Sequence, residues 1–252
     1  MEEWKVEIRD LEFSSRRFKL SPVNFRIRPG TITGIIGKNG SGKTTLLRLL
    51  HGDMKPLSGE VVLDGKPVTS YRPMELSRKI SILYQEMYEP FSFTIRDIMN
   101  VAGYSREESV SSYMSALEEL GVSSLADVEF TSLSGGERRL ATIAASIYQD
   151  SEIMLLDEPT SYLDIDNQIT VHGILDSLRE RGKTLVVVMH DLNAIEAVCD
   201  DVIMLRNGEV VASGPVVEVL NESNLSRTFD VPFSEVSVDS DRMFVYRKNL
   251  KH

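Results

Sequence analysis

The sequence of 252 residues is poor in several residue types that mark particular protein classes. Cys199 is the only cysteine, so the chain forms no internal disulfide and offers no thiol cluster to zinc. Because Cys199 lies in an apolar stretch with helical spacing, we expect a buried structural thiol. Positive charge is also scarce, since 28 Lys and Arg face 38 Asp and Glu, a net charge of −10. This acidity argues against a nucleic-acid partner, which requires a basic face.

Long hydrophobic runs are missing as well. No apolar run approaches the ~18 residues that span a bilayer, and residues 1–5 lack the positive and apolar regions of a secretory signal. We therefore expect another chain to supply the membrane part of any membrane process that this protein serves. The length and the apolar fraction of 42% suit one large core with an inserted subdomain.

Short apolar segments alternate along the chain with stretches of helical spacing. Strands are predicted at residues 6–13, 23–27, 31–36, 80–84, 153–156, 184–189 and 202–205, and a hairpin at 61–65. Helices are predicted at residues 44–50, 95–101, 106–120, 136–148, 167–179, 192–198 and 215–220. This order indicates an α/β fold with a parallel sheet, a helical insertion between residues 87 and 149, and a peripheral hairpin at 233–246.

A glycine-rich segment connects the predicted strand at 31–36 to a helix. Glycines let backbone N–H groups wrap phosphate oxygens, and the helix N-terminus attracts the same anion. Lys43 adds a positive charge at the β- and γ-phosphates, and the Thr44 hydroxyl can ligate Mg²⁺. The alternative, a glycine-rich surface turn, is much weaker because strand, loop and helix follow in the required order. A nucleoside triphosphate is therefore predicted to bind Gly37, Lys38, Asn39, Gly40, Ser41, Gly42, Lys43, Thr44 and Thr45.

Two acids, Asp157 and Glu158, end the apolar strand predicted at 153–156. Asp157 is predicted to hold Mg²⁺ directly or through water. Glu158, one residue further on, can act as general base or position a water on the γ-phosphate. A strand that ends in acids is weak evidence alone, but after a phosphate loop it predicts hydrolysis.

Ser134, Gly135 and Gly136 precede another predicted helix. Small residues with free N–H groups form an anion site there, to which the serine hydroxyl adds a donor. The alternative is plain helix capping, with Ser134 as N-cap and Glu137 three residues on as its capping-box partner. Local physics alone favours capping.

Gln85 and His190 each follow a predicted strand. Ligands gather at the carboxyl ends of strands in open α/β sheets. His190 can donate a hydrogen bond to the γ-phosphate or orient the attacking water, and Gln85 can ligate Mg²⁺ or position water. Taken alone, a single histidine is more often structural, and Gln85 would be a polar loop residue.

Together these segments resemble the ATP-binding subunit of ATP-binding-cassette (ABC) transporters over residues 5–230. Residues 37–44 resemble its Walker A motif, 133–137 (LSGGE) its signature, 153–158 its Walker B motif and 161–164 its D-loop. Gln85 resembles the Q-loop glutamine and His190 the switch histidine. The resemblance implies an ATPase with an N-terminal antiparallel β subdomain. It also implies a nucleotide-binding core at 1–86 and 150–214, a helical signature subdomain at 87–149 and a C-terminal extension at 215–252.

The family works as a dimer of cassettes, so the resemblance implies a homodimer with ATP and Mg²⁺ held between the subunits. Each ATP lies between the Walker A loop of one subunit and the signature of the other. Ser134, Gly135, Gly136 and Asp164 are then expected at the nucleotide across the interface. This explains why one chain carries two anion-binding helix starts.

A narrower resemblance, to importers for iron–siderophores, haem and cobalamin, rests on residues 70–80, 94–98, 190–193 and 208–214. It implies integral-membrane permease subunits, an external substrate-binding protein and a place for this chain at the cytoplasmic face of the membrane. A permease helix is expected in a groove lined by residues 87–93, with Phe91 and Phe93 as anchors or as ordinary core residues.

Three features depart from the family pattern. The stretch between Tyr104 and Glu108 is shorter than usual for these importers, and Arg138-Arg139-Leu140 replaces the more usual Gln-Arg-containing run after the signature. In addition, Ser15 stands where most members carry an aromatic residue that stacks on adenine. Phe18 is the candidate substitute. A soluble cassette ATPase, such as one in iron–sulfur assembly, shares these motifs and stays open as an alternative. DNA-repair cassettes carry a long coiled-coil insert, for which this chain has no room. Glu158 and His190 disfavour a regulatory module without hydrolysis.

Overall fold

The computed structural model describes residues 4–16, 18–85, 92–106, 112–238 and 241–246. The strands are β1 (Val6–Ser14), β2 (Lys19–Ile27), β3 (Ile32–Gly37), β4 (Ser58–Leu63), β5 (Lys66–Pro67), β6 (Ile80–Leu83), β7 (Ile153–Asp157), β8 (Thr184–Val188), β9 (Asp201–Arg206), β10 (Glu209–Pro215), β11 (Phe233–Val238) and β12 (Asp241–Tyr246). The helices are α1 (Lys43–His51), α2 (Pro73–Lys79), α3 (Ile95–Ala102), α4 (Tyr113–Glu119), α5 (Gly135–Gln149), α6 (Ile165–Glu180), α7 (Leu192–Val198), α8 (Val216–Val219) and α9 (Glu222–Phe229). Every helix within the described ranges is too short or too polar to cross a lipid bilayer.

A six-stranded sheet in the order β10-β9-β3-β8-β7-β6 forms the centre of the fold. Its neighbours pair in parallel except for β10, which runs antiparallel to β9 at one edge. Every residue of β3, β7 and β8 is buried, as expected for parallel strands covered on both faces. Because β3, β6, β7 and β8 run in the same direction, the segments that follow them meet at one edge of the sheet.

The side chains of this sheet alternate between two hydrophobic cores. Val186 and Val188 of β8 enter the core that contains α1 and the N-terminal strands. Leu185 and Val187 enter the other core, shared with α6, α7 and the helical region. The period of two along the strand therefore fixes which face each residue covers. The predicted parallel sheet with flanking helices is confirmed.

A second sheet, in the order β2-β1-β4-β5, is antiparallel. The predicted hairpin at 61–65 is confirmed, and Asp64 and Gly65 form its turn with φ of 48° and 76°. These positive angles suit a two-residue turn whose twist matches the strands. This sheet is the antiparallel β subdomain that the resemblance implied.

The helical region between β6 and β7 contains α3, α4 and α5. Thr94 begins α3 with a capping box, in which its hydroxyl accepts from the Asp97 backbone and the Asp97 carboxylate accepts from the Thr94 backbone. The helix predicted at 106–120 is shorter than expected, because Arg106 has extended backbone and α4 begins at Tyr113. Residues 107–111 of that prediction lie outside the described residues.

Three elements were not predicted: α2, α9 and the antiparallel strand β10. Helix α2 buries none of its residues, so it has little apolar periodicity to detect. In α9, Leu225 and Phe229 lie four residues apart and pack on the core, a helical spacing that the sequence prediction missed. The predicted short helix and terminal hairpin correspond to α8 and the β11–β12 pair. Cys199 is buried, as predicted, and burial raises the pKa of its thiol.

Candidate functional site

The glycine-rich segment forms a loop between β3 and α1 at the carboxyl edge of the sheet. Gly42 is the N-cap of α1 and has a φ of 108°, a conformation that residues with a Cβ rarely adopt. The first turn of α1 contains no acidic residue and no side chain caps it, so no carboxylate of the helix itself competes for its N-terminal N–H groups. The loop and helix therefore provide the geometry of an anion site.

Lys43 is folded back onto this loop. Its ammonium donates to the carbonyl oxygens of Gly37 at 2.9 Å and Lys38 at 3.2 Å, and its side chain is buried. Burial lowers the pKa of Lys43, and the nearby Glu158 and Asp157 carboxylates offset part of this effect. The acceptors of the ammonium are therefore neutral carbonyl oxygens of the loop itself.

Thr44 and Asp157 connect α1 to the end of β7. The Thr44 hydroxyl donates to Asp157 Oδ2 at 2.7 Å. Asp157 is 1% exposed, and its Oδ1 is buried with no hydrogen-bond partner in the described part of the chain. Burial raises the pKa of Asp157, against the opposing effect of the Thr44 hydrogen bond. A buried carboxylate oxygen without a partner is an open ligand position for a hard cation.

Glu158 lies at the meeting point of three donors. Its Oε2 accepts from Gln85 Nε2 at 2.8 Å and from the Ser161 hydroxyl at 2.9 Å, and its Oε1 lies 2.5 Å from His190 Nε2. The backbone of Glu158 has a φ of 51°, which is uncommon for a residue with a side chain. Such strain is typical of functional sites that the surrounding structure holds in place.

Glu158 and two of its partners, Gln85 and His190, line one cavity of about 520 Å³ together with the phosphate loop, whereas Asp157 contacts that lining through Thr44. Phe18 also lines it, and its ring packs against the backbone of Gly42, where an added Cβ would lie 2.4 Å from Phe18 Cζ. The structure thus brings together most of the predicted site residues: Asn39, Gly40, Gly42, Lys43, Thr44, Thr45, Gln85, Glu158 and His190 line the cavity.

Three predicted loop residues, Gly37, Lys38 and Ser41, do not line the cavity. Lys38 forms an ion pair with Asp230, beyond the end of α9, with Nζ and Oδ2 2.8 Å apart. Ser41 is buried, and its hydroxyl has no partner among the described residues.

The signature segment lies elsewhere in the chain. Ser134 is the N-cap of α5, where its hydroxyl accepts from Glu137 N at 3.3 Å and its N–H donates to Glu137 Oε2 at 2.8 Å. The capping interpretation is therefore confirmed, and these hydrogen bonds lower the pKa of Glu137. The cavity lining, as far as the described residues show it, does not include Ser134, Gly135 or Gly136. It also does not include Asp164, which is the N-cap of α6.

Two side chains were not predicted to belong to this site. Ser161 belongs to a recognised motif, but its hydrogen bond to Glu158 was not predicted. Arg139 is buried and donates to the backbone around Asp157 and Glu158. The available signal was its place four residues before the buried Ile143, on the inner face of α5.

Comparison with known proteins identifies the family. The profile of the family described as ABC transporter matches residues 20–161. The ferric enterobactin transport ATP-binding protein FepC of Escherichia coli is 38% identical over 212 residues, covering 81% of this chain and 78% of its own. The hemin import ATP-binding protein HmuV of Rhodopseudomonas palustris is 32% identical over 239 residues, covering 91% and 88%.

Solved structures agree. An inward-facing metal-chelate type ABC transporter has a TM-score of 0.82 and 28% identity, covering 98% of both chains. A dimeric bacterial ABC transporter cassette has a TM-score of 0.76 and 25% identity, covering 84% of this chain and 98% of its own. The chain belongs to the ABC transporter family, as the ATP-binding subunit, and is an ATPase. The family, fold and activity expected from the sequence are confirmed.

Proposed function

We propose that the chain hydrolyses ATP at the described cavity to power import of a metal chelate, such as an iron–siderophore, haem or cobalamin. The observation that carries this proposal is the position of Glu158, fixed by three side-chain donors beside the buried Lys43. The import direction and substrate class rest on the similarity to FepC, HmuV and the metal-chelate type transporter.

Mg²⁺ fits the residues present. Asp157 offers a partnerless buried carboxylate oxygen, Thr44 a hydroxyl and Gln85 an amide oxygen, all hard ligands. A bound Mg²⁺ would neutralise charge between the β- and γ-phosphates.

Glu158 is assigned the role of general base or water-positioning group. Its carboxylate already accepts from Gln85 and Ser161, so a γ-phosphate and water must replace some of these contacts. His190, whose side chain is 48% exposed, then donates to the γ-phosphate or orients the water. Lys43 leaves the Gly37 and Lys38 carbonyls for the β- and γ-phosphates.

A second copy of the chain completes the site. Ser134 is the N-cap of a helix of 15 residues that Gly135 and Gly136 begin, and all three remain outside the cavity of their own chain. The two glycines offer N–H groups to an anion and Ser134 offers its hydroxyl, since its own N–H is taken by Glu137. We assign them, with Asp164, to the ATP held by the partner in a C2-symmetric homodimer. The dimeric cassette among the similar structures supports this arrangement.

We divide the chain into three parts. The nucleotide-binding core comprises residues 1–86 and 150–214, and the helical signature subdomain comprises residues 87–149. Residues 215–252 form a C-terminal extension, which is supported by the Lys38–Asp230 ion pair that reaches back to the phosphate loop.

The permease is assigned to a groove of about 280 Å³ between β6, α3 and α5. Its rim carries exposed apolar side chains, with Val101 73% and Phe93 41% exposed. Phe91 and the rest of residues 86–91 lie outside the described residues. Docking there would hold the chain peripherally at the cytoplasmic face of the membrane, and an external substrate-binding protein would deliver the chelate to the permease.

The experiment compares Mg-ATP hydrolysis by the purified wild type, Glu158→Gln and Glu152→Gln. Glu152 precedes β7 and pairs with Lys5 and Lys79 away from the cavity, so it is a matched carboxylate-to-amide control. Glu158→Gln is expected to lose roughly 10²–10⁴-fold in turnover and to retain ATP in a dimer, whereas Glu152→Gln stays active. Unchanged turnover in Glu158→Gln would refute the catalytic assignment.

Coupling of ATP hydrolysis to transport is tested separately. In proteoliposomes with the cognate permease, ATP hydrolysis should rise when chelate-loaded binding protein is added. Val101→Asp, which places a charge in the groove, should abolish this stimulation and leave basal hydrolysis intact. Equal stimulation of Val101→Asp and wild type would rule out the groove as the docking site.

A further inference from the structure

Arg139 is a buried arginine one turn into the signature helix α5, with 5% of its surface exposed. Its guanidinium donates to four backbone carbonyls: to Pro159 from Nε at 3.1 Å, to Tyr84 from Nη1 at 2.7 Å, and to Glu158, at 2.7 Å, and Asp157 from Nη2. A planar fork of fixed donors suits this task, and a lysine ammonium cannot reproduce its geometry.

These carbonyls belong to the backbone that carries the proposed catalytic side chains. Tyr84 directly precedes Gln85, Pro159 directly follows Glu158, and the other two carbonyls belong to Asp157 and Glu158 themselves. The guanidinium therefore holds the end of β6 and the end of β7 at a fixed separation. The Gln85–Glu158 hydrogen bond of 2.8 Å spans the same gap on the cavity side.

Burial of the charged Arg139 side chain is energetically unfavourable. Burial lowers its pKa to about 10, although Asp157, Glu158 and Tyr162 act in the opposite direction. The side chain is still a cation at neutral pH, beside two carboxylates. An apolar residue would cost less to bury at this position, because buried charges are often replaceable by apolar groups without loss of stability. Packing alone does not account for an arginine here.

The same helix connects Arg139 to the signature. Gly135 begins α5 four residues before Arg139, about 6 Å along the helix axis. One rigid turn therefore separates the N–H groups that would meet the partner's ATP from the guanidinium that holds this chain's catalytic backbone. A shift of α5 therefore moves both the signature N–H groups and the Arg139 guanidinium.

We propose that Arg139 is a positioning residue that couples the two ATP sites of the dimer, transmitting engagement of the signature at one nucleotide to Glu158 and Gln85 at the other. This inference rests on the dimeric function proposed above. It adds a route within the chain by which each site senses the occupancy of the other.

The test compares Arg139→Met, which removes all donors, with Arg139→Lys, which keeps the charge. Arg28→Met is the matched control, because Arg28 forms a bidentate pair with Asp201 at the start of β9, away from the cavity. For each protein the measurements are kcat, KM and Hill coefficient for ATP, affinity for a fluorescent ATP analogue, and Tm.

Arg139→Met is expected to lower kcat about tenfold or more, to change KM and analogue affinity less than about twofold, and to bring the Hill coefficient towards one. Arg139→Lys should recover part of the kcat. Arg28→Met should lower Tm but leave kcat and the Hill coefficient unchanged. If Arg139→Met does not fold, Arg139→Lys carries the test, with a reduced kcat at unchanged KM as the supporting result.

The proposal is overturned if the wild type is cooperative and the Arg139 variants keep its kcat and Hill coefficient. It is also overturned if Arg28→Met, at a similar fall in Tm, loses as much kcat and as much of the Hill coefficient as the Arg139 variants do. A wild type that neither hydrolyses ATP nor dimerises with it would refute the proposed function instead, so the two failures are distinguishable.

Discussion

Gly42 and Phe18 provide a sharp test of the phosphate-loop geometry. At Gly42 an added Cβ would lie 2.4 Å from Phe18 Cζ, and the backbone φ is 108°. Ordinary carbon contacts lie at about 3.5–4.0 Å, so the ring must shift by about 1 Å. We expect Gly42→Ala to cost about 1–3 kcal/mol in backbone strain and about 1–3 kcal/mol in overlap with the ring.

A double-mutant cycle separates the two costs. Phe18→Ala removes the overlap but not the strain, so the double variant should be more stable than the sum of the single effects by about 1–3 kcal/mol. Gly40→Ala is the matched control, since Gly40 has a φ of 77° but nothing within 4 Å of an added Cβ. It should show strain alone and no coupling to Phe18.

The assay is urea unfolding of each variant without nucleotide, supported by thermal melts. For a chain of this size, about 1 kcal/mol corresponds to a Tm shift of about 2–4 °C. Additive effects of Gly42→Ala and Phe18→Ala would refute the contact between the ring and the loop. Coupling of Gly40→Ala to Phe18→Ala would show that the effect is not local.

Three further predictions follow from individual groups. Lys43→Met should abolish ATP binding in calorimetric titration without lowering Tm, because burial of the ammonium is unfavourable; a large fall in Tm would contradict this. Burial alone would raise the pKa of Asp64 and of Glu152, but their hydrogen bonds to Lys5 and Lys79 lower both overall. The ionised Asp64 and Glu152 therefore stabilise the folded protein fully at pH values above the ordinary carboxyl pKa. This stabilisation is lost as the pH falls through their lowered pKa values in the folded protein. Lys79→Met should thus cost about 1 kcal/mol or less at pH 7, and this difference should shrink in acid melts; a constant difference would refute the ion-pair explanation. Buried Cys199 should react with a thiol reagent only when the protein unfolds, and rapid labelling of the native protein would show that its burial is overstated.

The sequence predicts the cavity well because its residues follow strands of one parallel sheet. Gln85, Glu158 and His190 are distant in sequence, yet each comes shortly after a strand whose carboxyl end lies at the same edge. Parallel pairing alone brings such residues together. The glycine loop adds a local motif that needs no tertiary information.

Other features depend on tertiary contacts that no local pattern encodes. Arg138 and Arg139 are neighbours of the same type; the helical spacing to Ile143 places Arg139 on the inner face of α5, but its four backbone acceptors after β6 and at the end of β7 come only from the tertiary structure. The contact of Phe18 with Gly42 depends on how the antiparallel sheet lies over the phosphate loop. Helix α2 buries no side chain, so hydrophobic periodicity cannot reveal it.

The most direct test of the central claim is a cross-link between the phosphate loop and the signature. Asn39→Cys and Ser134→Cys are introduced together in the Glu158→Gln background, where the buried Cys199 leaves the native surface free of competing thiols in the described part of the chain. Disulfide formation is then followed with and without Mg-ATP by non-reducing gel electrophoresis. Our account predicts a covalent dimer that forms only with Mg-ATP, because each ATP bridges the Asn39 side of one chain and the Ser134 side of the other. A cross-link within one chain, or none in Mg-ATP, would contradict it.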